Sequence, residues 1–122
     1  MRLPATILAG TMVLIGSTGA FAAQMVSTGP IFMNTGDEYK CGVANVSTRD
    51  ITRVTITVRI DGGGVGATGE CAPLSPGSVC ASVPGSAGNM AYRFCEVTVQ
   101  GSKTAVRATF CDLTQWICVP GQ

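Results

Sequence analysis

Alternation of apolar and polar residues is the dominant pattern along this chain, and it is clearest from residue 51 to residue 61. The apolar positions of this segment are Val54, Ile56, Val58 and Ile60, and the polar positions are Arg53, Thr55, Thr57 and Arg59. Because β-branched residues with a period of two fit a pleated, half-buried surface, the segment is predicted to be a strand rather than a helix.

Three other segments alternate in the same way, namely 38–46, 91–100 and 104–112. Turn-forming residues separate 38–46 from 51–61, and a short turn separates 91–100 from 104–112. We therefore predict two hairpins, each formed by two segments that are consecutive in the sequence.

The remaining segments are less regular. Residues 23–36 contain Gly29 and Pro30, which predict a short edge strand or a loosely attached arm. Residues 62–89 are so rich in glycine and proline that a helix interior is excluded, and only 78–83 is expected to form a short strand. A connection of this length in a compact domain is expected to be crosslinked or functional.

No segment after residue 22 shows the helical period of 3.6 residues. Strands that each have one apolar face bury those faces by packing sheet against sheet. The sequence therefore predicts one all-β domain at 23–122, a small disulfide-stabilised antiparallel β-sandwich of immunoglobulin-like size with an irregular connection at 62–89.

Residues 1–22 have the organisation of a secretory signal peptide. Arg2 precedes an apolar stretch, and Ala20, Phe21 and Ala22 form a small-residue cleavage site. The alternative, a membrane anchor, is disfavoured because the apolar stretch is interrupted and falls short of the roughly 20 residues that span a bilayer. We expect cleavage after Ala22 and a secreted or periplasmic protein without a membrane segment.

An even number of cysteines after an export signal predicts a disulfide framework, because the compartments reached by export are oxidising. The six cysteines are Cys41, Cys71, Cys80, Cys95, Cys111 and Cys118. A zinc site is disfavoured because the chain has no closely spaced cysteine pair and no histidine.

Sequence alone leaves all pairings of the cysteines open, but the facing of their side chains favours one set. Cys41 and Cys95 fall on inward faces and are expected to join the two sheets, whereas Cys71 and Cys80 are expected to close the long connection. Cys111 has outward parity, so we pair it with Cys118 at the surface. The main alternative joins Cys95 to Cys111 across the second predicted hairpin.

Removal of residues 1–22 takes away Arg2 and leaves seven basic and seven acidic residues. A neutral chain lacks the basic patch that nucleic-acid-binding proteins need and is not drawn to charged membranes. The absence of histidine removes the commonest general base and the commonest metal ligand. We expect no bound metal, cofactor or nucleic acid.

Two short motifs have a structural and a functional interpretation. Gly64, Gly66 and Gly69 match a dinucleotide-binding spacing, but no helix is predicted after them, so we regard the match as accidental. Asn45 and Ser47 form an N-glycosylation acceptor triplet with Val46, and we favour a turn in which both side chains bond to nearby backbone.

The candidate catalytic groups are carboxylates, and they are Asp37, Glu38, Asp50, Asp61, Glu70, Glu96 and Asp112. Most of them flank predicted turns, where charges are usually solvated, and Glu96 is expected to pair with Arg107 on a neighbouring strand. We therefore do not expect an enzyme.

Four residues are candidates for contact with a partner. Arg53 and Arg59 lie on the flat polar face of their strand, which is most simply the solvated side of a sheet. Trp116 is expected either to cap the core, which we favour, or to anchor a partner. Leu74 lies between two prolines in the loop that Cys71 and Cys80 are expected to close, as in a rigid inhibitory loop.

These observations favour a non-enzymatic secreted or periplasmic binding or structural module whose partner is an unknown protein or glycan. The alternative is a secreted inhibitor of a hydrolase that acts through the loop at 71–80, and a small exported enzyme ranks third. The sequence does not identify the partner.

Overall fold

The computed structural model describes residues 22–121, so residues 1–21 of the predicted signal peptide lie outside the described part. The described strands are β1 (Gln24–Ser27), β2 (Ile31–Met33), β3 (Glu38–Asn45), β4 (Val54–Ile60), β5 (Val65–Cys71), β6 (Val79–Ala81), β7 (Gly85–Ser86), β8 (Ala91–Val99), β9 (Val106–Asp112) and β10 (Ile117–Pro120). A single 3₁₀ turn, Lys103–Ala105, precedes β9. None of the helical structure in residues 22–121 has the length and apolar character that a membrane span requires.

The strands form two antiparallel sheets that pack face to face. The first sheet has the order β1, β8, β4, β5, with β2 pairing to the same edge of β8 as β1. The second has the order β10, β9, β3, β6, with β7 beside β6 on β3. The prediction of a small disulfide-stabilised antiparallel β-sandwich is confirmed.

Both predicted hairpins are wrong, because the two strands of each, β3 with β4 and β8 with β9, lie in different sheets. β4 pairs with β8, where Val58 is opposite Cys95, and β3 pairs with β9, where Cys41 is opposite Phe110. Alternation shows which side chains are buried, and strands facing each other across a core bury side chains just as neighbours in one sheet do. The connections 46–53 and 100–105 therefore cross from one sheet to the other.

A hairpin does form between β4 and β5, in the segment that was predicted to be irregular. Its turn is made by Gly62, Gly63 and Gly64, which all have positive φ angles that residues with a side chain rarely adopt. Strand β5 was missed because it buries only Ala67 and so lacks the apolar alternation of a core strand. β6 lies within the short strand that was predicted at 78–83.

Two glycines of β5 are required by close packing. A Cβ atom at Gly69 would lie 2.6 Å from the carbonyl oxygen of Ala81 and 2.8 Å from the Cα of Ser82, and one at Gly66 would overlap the Tyr39 hydroxyl. Of the three glycines that match a dinucleotide-binding spacing, Gly66 and Gly69 therefore lie in β5. Their lack of a side chain lets the second sheet pack closely against this strand.

The core fills the space between the sheets with the side chains that alternation assigned to inward faces. Tyr39 and Phe110 meet edge to face with their ring centroids 6.0 Å apart, and they belong to the same buried cluster as the central residues of β4 and β8. Burying each valine, leucine or isoleucine contributes about 1.5–3 kcal/mol relative to leaving it exposed.

Three disulfides join Cys41 to Cys95, Cys71 to Cys80 and Cys111 to Cys118, which is the set favoured by side-chain facing. The first crosses the core from β3 to β8, and the second joins β5 to β6, so both tie one sheet to the other. The third joins directly opposite residues of β9 and β10 within the second sheet. Chain entropy alone gives about 4 kcal/mol for the loop closed by the first and about 2.5 kcal/mol for the loop closed by the third.

Candidate binding surface

Two aromatic side chains stand next to each other on the outer face of the first sheet. The register of β2 on β8 places Phe32 directly opposite Tyr92, and their rings meet edge to face with centroids 5.1 Å apart. Phe32 is 42% exposed and Tyr92 is 49% exposed. Phe94 follows two residues later on the same face and is half-buried. We call these three residues the aromatic patch.

The aromatic patch is unusual because this protein has few aromatic residues. Within residues 22–121, Tyr39 and Phe110 are the aromatic side chains buried in the core. More aromatic side chains lie at the surface than in the core, although a small core gains much from each ring that it buries. Exposed, adjacent aromatic residues are typical of interaction surfaces.

A shallow cleft of about 480 Å³ opens beside the patch, lined by Pro30, Asp61, Tyr92 and Phe94. The backbone N–H of Asp61 donates a 2.9 Å hydrogen bond to the carbonyl oxygen of Tyr92, which fixes the start of the β4–β5 turn against β8. The cleft thus combines apolar walls with one carboxylate, the usual composition of a small ligand site.

Two ion pairs continue the same outer face beyond the aromatic patch. Arg59 donates to Glu96 at 2.8 Å, and Arg53 lies 2.7 Å from Glu70. The two arginines that the sequence suggested as partner contacts therefore lie on the face that carries the patch. The predicted pair between Glu96 and Arg107 is wrong, because Arg107 belongs to the second sheet, where its guanidinium donates to the carbonyl of Val106.

Hydroxyl side chains occupy positions between and beside these ion pairs. Strand register places them in rows across β1, β8, β4 and β5, and they are Ser27, Thr98, Thr55, Thr57 and Thr68. The outer face of the first sheet is therefore aromatic at one end, and the rest of its length combines hydroxyl groups with the two ion pairs and the exposed side chain of Met25 opposite Thr98.

Trp116 is not in the core, contrary to the interpretation that the sequence favoured. It is 85% exposed in the turn between β9 and β10, and its φ of 58° is in the left-handed region that favours glycine. A bulky residue in this conformation costs about 1–2 kcal/mol. The alternating pattern ends before this turn, so nothing in the sequence indicated its exposure.

The turn that carries Trp116 is held by two buried carboxylates. Asp112 is fully buried and Asp37 nearly so, and the side-chain amide of Gln115 donates to both at 2.8 Å. Gln115 Nε2 also lies 3.3 Å from the carbonyl oxygen of Phe32, which places the Trp116 turn at the aromatic end of the sandwich. The sequence had assigned most of its carboxylates to solvent, and these two are exceptions.

Hydrogen bonds to Asp112 decide its charge state. Burial by itself raises the pKa of this carboxyl, but donation from the backbone and side chain of Gln115, together with bonds involving Asp37 and Thr114, lowers the pKa below its usual value. The carboxylate is ionised and acts as the acceptor that closes the turn, like an aspartate that begins a turn by bonding to the next backbone N–H groups.

Arg93 anchors the chain next to the aromatic patch from inside the core. Its guanidinium is buried, donates to the side-chain and backbone oxygens of Asn89, and lies 5.7 Å from the centre of the Tyr39 ring. Because Arg93 adjoins Tyr92, these contacts fix the strand segment that presents the exposed tyrosine.

Leu74 does not have the role of a partner contact in the structure. It is 3% exposed, and its backbone exchanges two hydrogen bonds with Ile51, so the side chain belongs to the core. The loop closed by Cys71 and Cys80 therefore holds its only leucine inward rather than presenting it to a protease.

Asn45 is likewise structural. It is 1% exposed, its amide nitrogen donates to the carbonyl oxygens of Arg49 and Leu74, and its side-chain oxygen accepts two bonds from Ser47. This arrangement is the turn that the sequence analysis favoured over glycosylation. The turn continues into one wall of a second, polar cleft of about 550 Å³ at the opposite end of the sandwich. This cleft is lined by residues 47–52, 100–102, 104 and 105.

Within residues 22–121, no three cysteine or carboxylate side chains converge in a way that would hold a metal ion, and all six cysteines are in disulfides. No known family profile matches the sequence, and no curated protein is significantly similar to it.

Proposed function

We propose that this protein is an exported, non-enzymatic binding module whose ligand contacts the aromatic patch on the outer face of the first sheet. The observation that carries the proposal is the exposed pair formed by Phe32 and Tyr92. Two rings that would stabilise a small core are instead held at the surface by strand register and by a buried arginine.

Export is supported by the disulfides and by the amino-terminal sequence. Three disulfides are typical of proteins of an oxidising compartment, such as the periplasm or the extracellular space. Residues 1–22 have the sequence pattern of a matching export signal.

A binding role rather than catalysis is supported by the chemistry of the acidic groups. The two buried carboxylates are occupied in closing a turn, and Glu70 and Glu96 are paired with arginines. The chain also has no histidine to act as a general base. Each of these four carboxylates therefore has a structural partner.

The test is a binding isotherm on cell-envelope particles from cells that encode the protein. Fluorescently labelled protein, starting at Ala23 with its disulfides intact, is compared with the variant Phe32→Ser/Tyr92→Ser and with the single variant Tyr92→Ser. Val79→Ser is the matched control, because Val79 is an exposed apolar residue on the outer face of the second sheet.

We expect saturable binding that weakens at least tenfold in both patch variants and is unchanged in the control, as for an aromatic hot spot. Thermal unfolding of each variant verifies that it is folded. An isotherm that is the same for the folded patch variants and the original protein, or the absence of saturable binding, would contradict the proposal.

A further inference from the structure

We infer that the ligand of the aromatic patch is a neutral glycan that lies along the outer face of the first sheet, with one sugar ring in the cleft beside Tyr92. This inference rests on the proposed function and specifies the chemical class of the ligand. It is carried by three features of the face: its exposed rings, its balanced charges and its row of hydroxyl groups.

Neutral sugars have apolar C–H faces and hydroxyl edges, and the face offers a partner for each. The rings of Tyr92 and Phe94 line the cleft, where the C–H face of a pyranose would stack. Asp61 lines the same cleft, and its carboxylate is an acceptor for sugar hydroxyls at the rim. An apolar wall combined with a few well-placed polar groups determines both the affinity and the orientation of a small ligand.

The rest of the face suits a chain of sugars rather than a single one. From Tyr92 to Thr98 the outward positions of β8 span about 20 Å, at roughly 3.4 Å per residue. Along this length Arg59 and Glu96 supply donors and acceptors that their mutual ion pair holds in place. Threonine hydroxyls on the neighbouring strands extend the hydrogen-bonding surface across the sheet.

Charge disfavours an anionic ligand. The arginines on this face are each paired with a glutamate, and the additional charge beside the cleft is the negative Asp61. A surface that binds acidic polysaccharides or nucleic acids needs unpaired basic side chains that replace counterions. Neutral sugars need no such excess.

The composition of the face also differs from that of a protein interface. The central, fully buried part of a protein interface is depleted of charged residues and serine. Here the middle of the face holds the Arg59–Glu96 pair with Ser27 and Thr57 beside Glu96. The exposed apolar side chains lie towards the two ends, with the aromatic patch at one end and Met25, opposite Thr98, at the other. Burying this middle against a protein would require desolvation of two charges.

The experiment uses the same envelope particles after two treatments. Mild periodate cleaves the vicinal diols of sugars, whereas a broad-specificity protease removes exposed proteins. We expect binding to fall at least tenfold after periodate, and to change by less than about twofold between about 50 and about 500 mM salt, because neutral ligands do not release counterions. Asp61→Asn should weaken binding at least threefold, with Asp50→Asn, an exposed carboxyl at the other end, as the control.

The outcomes distinguish a failure of the glycan inference from a failure of the proposed binding function. Binding that survives periodate but is lost after protease overturns the glycan and leaves the aromatic patch as a protein-binding surface. A steep loss of binding with salt overturns a neutral ligand. If the patch variants Phe32→Ser/Tyr92→Ser bind like the original protein, the proposed function fails, and the glycan inference fails with it.

Discussion

Gln115 donates two hydrogen bonds to the buried carboxylate of Asp112, one from its side-chain amide at 2.8 Å and one from its backbone N–H at 2.9 Å. These bonds close the turn between β9 and β10 from inside the sandwich. Trp116, the next residue, is thereby held outside it at the aromatic end.

Asp112 is expected to make the stability of the protein depend on acid pH. Burial raises its pKa, but the hydrogen bonds with Gln115, Asp37 and Thr114 together outweigh burial, so the pKa is lowered in the folded protein. A carboxyl with a lowered folded-state pKa contributes stability that is complete above the unfolded-state value of 3.8 and is lost as the pH falls through the lower folded-state value. Asp112→Asn should lower the free energy of unfolding at pH 7 by about 1–3 kcal/mol.

Urea denaturation at pH 7 and at acid pH measures both effects. The control is Asp50→Asn, which alters an exposed carboxyl in a connection between the sheets. Equal losses in the two variants would show that the bonds to Asp112 do not stabilise the turn.

We expect that Trp116, with its left-handed backbone and exposed side chain, lowers the free energy of unfolding of the protein. Because its φ is 58° and its side chain is mostly solvated, Trp116→Gly should raise the free energy of unfolding by about 1 kcal/mol. Trp116→Ala removes the ring but keeps the left-handed backbone, so it should not be stabilising. Thermal denaturation of the two variants separates relief of backbone strain from loss of the ring.

The same two variants show whether the turn belongs to the binding surface. If Trp116 contacts the ligand of the aromatic patch, both should weaken binding to envelope particles by a similar factor, whatever their stability. Binding that is unchanged in both would limit the surface to the first sheet.

The sequence predicted well which side chains of each strand face the core. It predicted poorly which strands are neighbours in a sheet. Residues such as Val54, Val58 and Cys95 were assigned correctly to the core, because burial leaves a period of two in the chain. Strand neighbours were predicted wrongly as two hairpins, because a turn and a crossing between sheets use the same residue types. The pairing of Cys41 with Cys95 was predicted correctly from the inward direction of both side chains. That argument does not need the strand neighbours, because the two strands face each other across the core.

The aromatic patch was missed for a related reason. Phe32 lies two residues after Pro30, in a segment that was predicted to be either a short edge strand or a loosely attached arm, and only the register of β2 on β8 brings it beside Tyr92. That register depends on contacts between residues about 60 positions apart, which local sequence patterns do not encode. The Arg53–Arg59 stripe was identified, but its glutamate partners on β5 and β8 depend on the same long-range pairing.

The three disulfides are expected to contribute unequally. Replacing Cys41 and Cys95 by alanine should cost more stability than replacing Cys111 and Cys118, because the first pair closes a much longer loop and lies in the core. The chain-entropy difference is about 1.5 kcal/mol, and the lost packing in the core adds to it. Chemical denaturation of the two double variants measures this difference, and a larger loss from the surface pair would contradict the role of Cys41–Cys95 as the main link between the sheets.

Gly69 is expected to be intolerant of any side chain. Gly69→Ala should lower the free energy of unfolding by about 1–3 kcal/mol, because the added methyl group meets backbone atoms of Ala81 and Ser82 that have little freedom to move. Gly88→Ala is the control, since a Cβ there meets no atom within 4 Å. If both variants are equally stable, the glycine spacing in β5 has some purpose other than the approach of the sheets.

Replacement of Asn45 by aspartate is expected to destabilise the protein, although the two side chains have a similar shape. Its amide nitrogen donates to the carbonyl oxygens of Arg49 and Leu74, and a carboxylate oxygen at that position would face two acceptors without a proton to share. Asn45→Asp should therefore lower the free energy of unfolding by about 2–4 kcal/mol at pH 7. Thr48→Asp adds the same charge at an exposed position of the same connection and should have little effect, as measured by urea denaturation. Similar stability of the two variants would mean that the bonds of Asn45 do not hold the crossing between the sheets, and that its amide is free for modification.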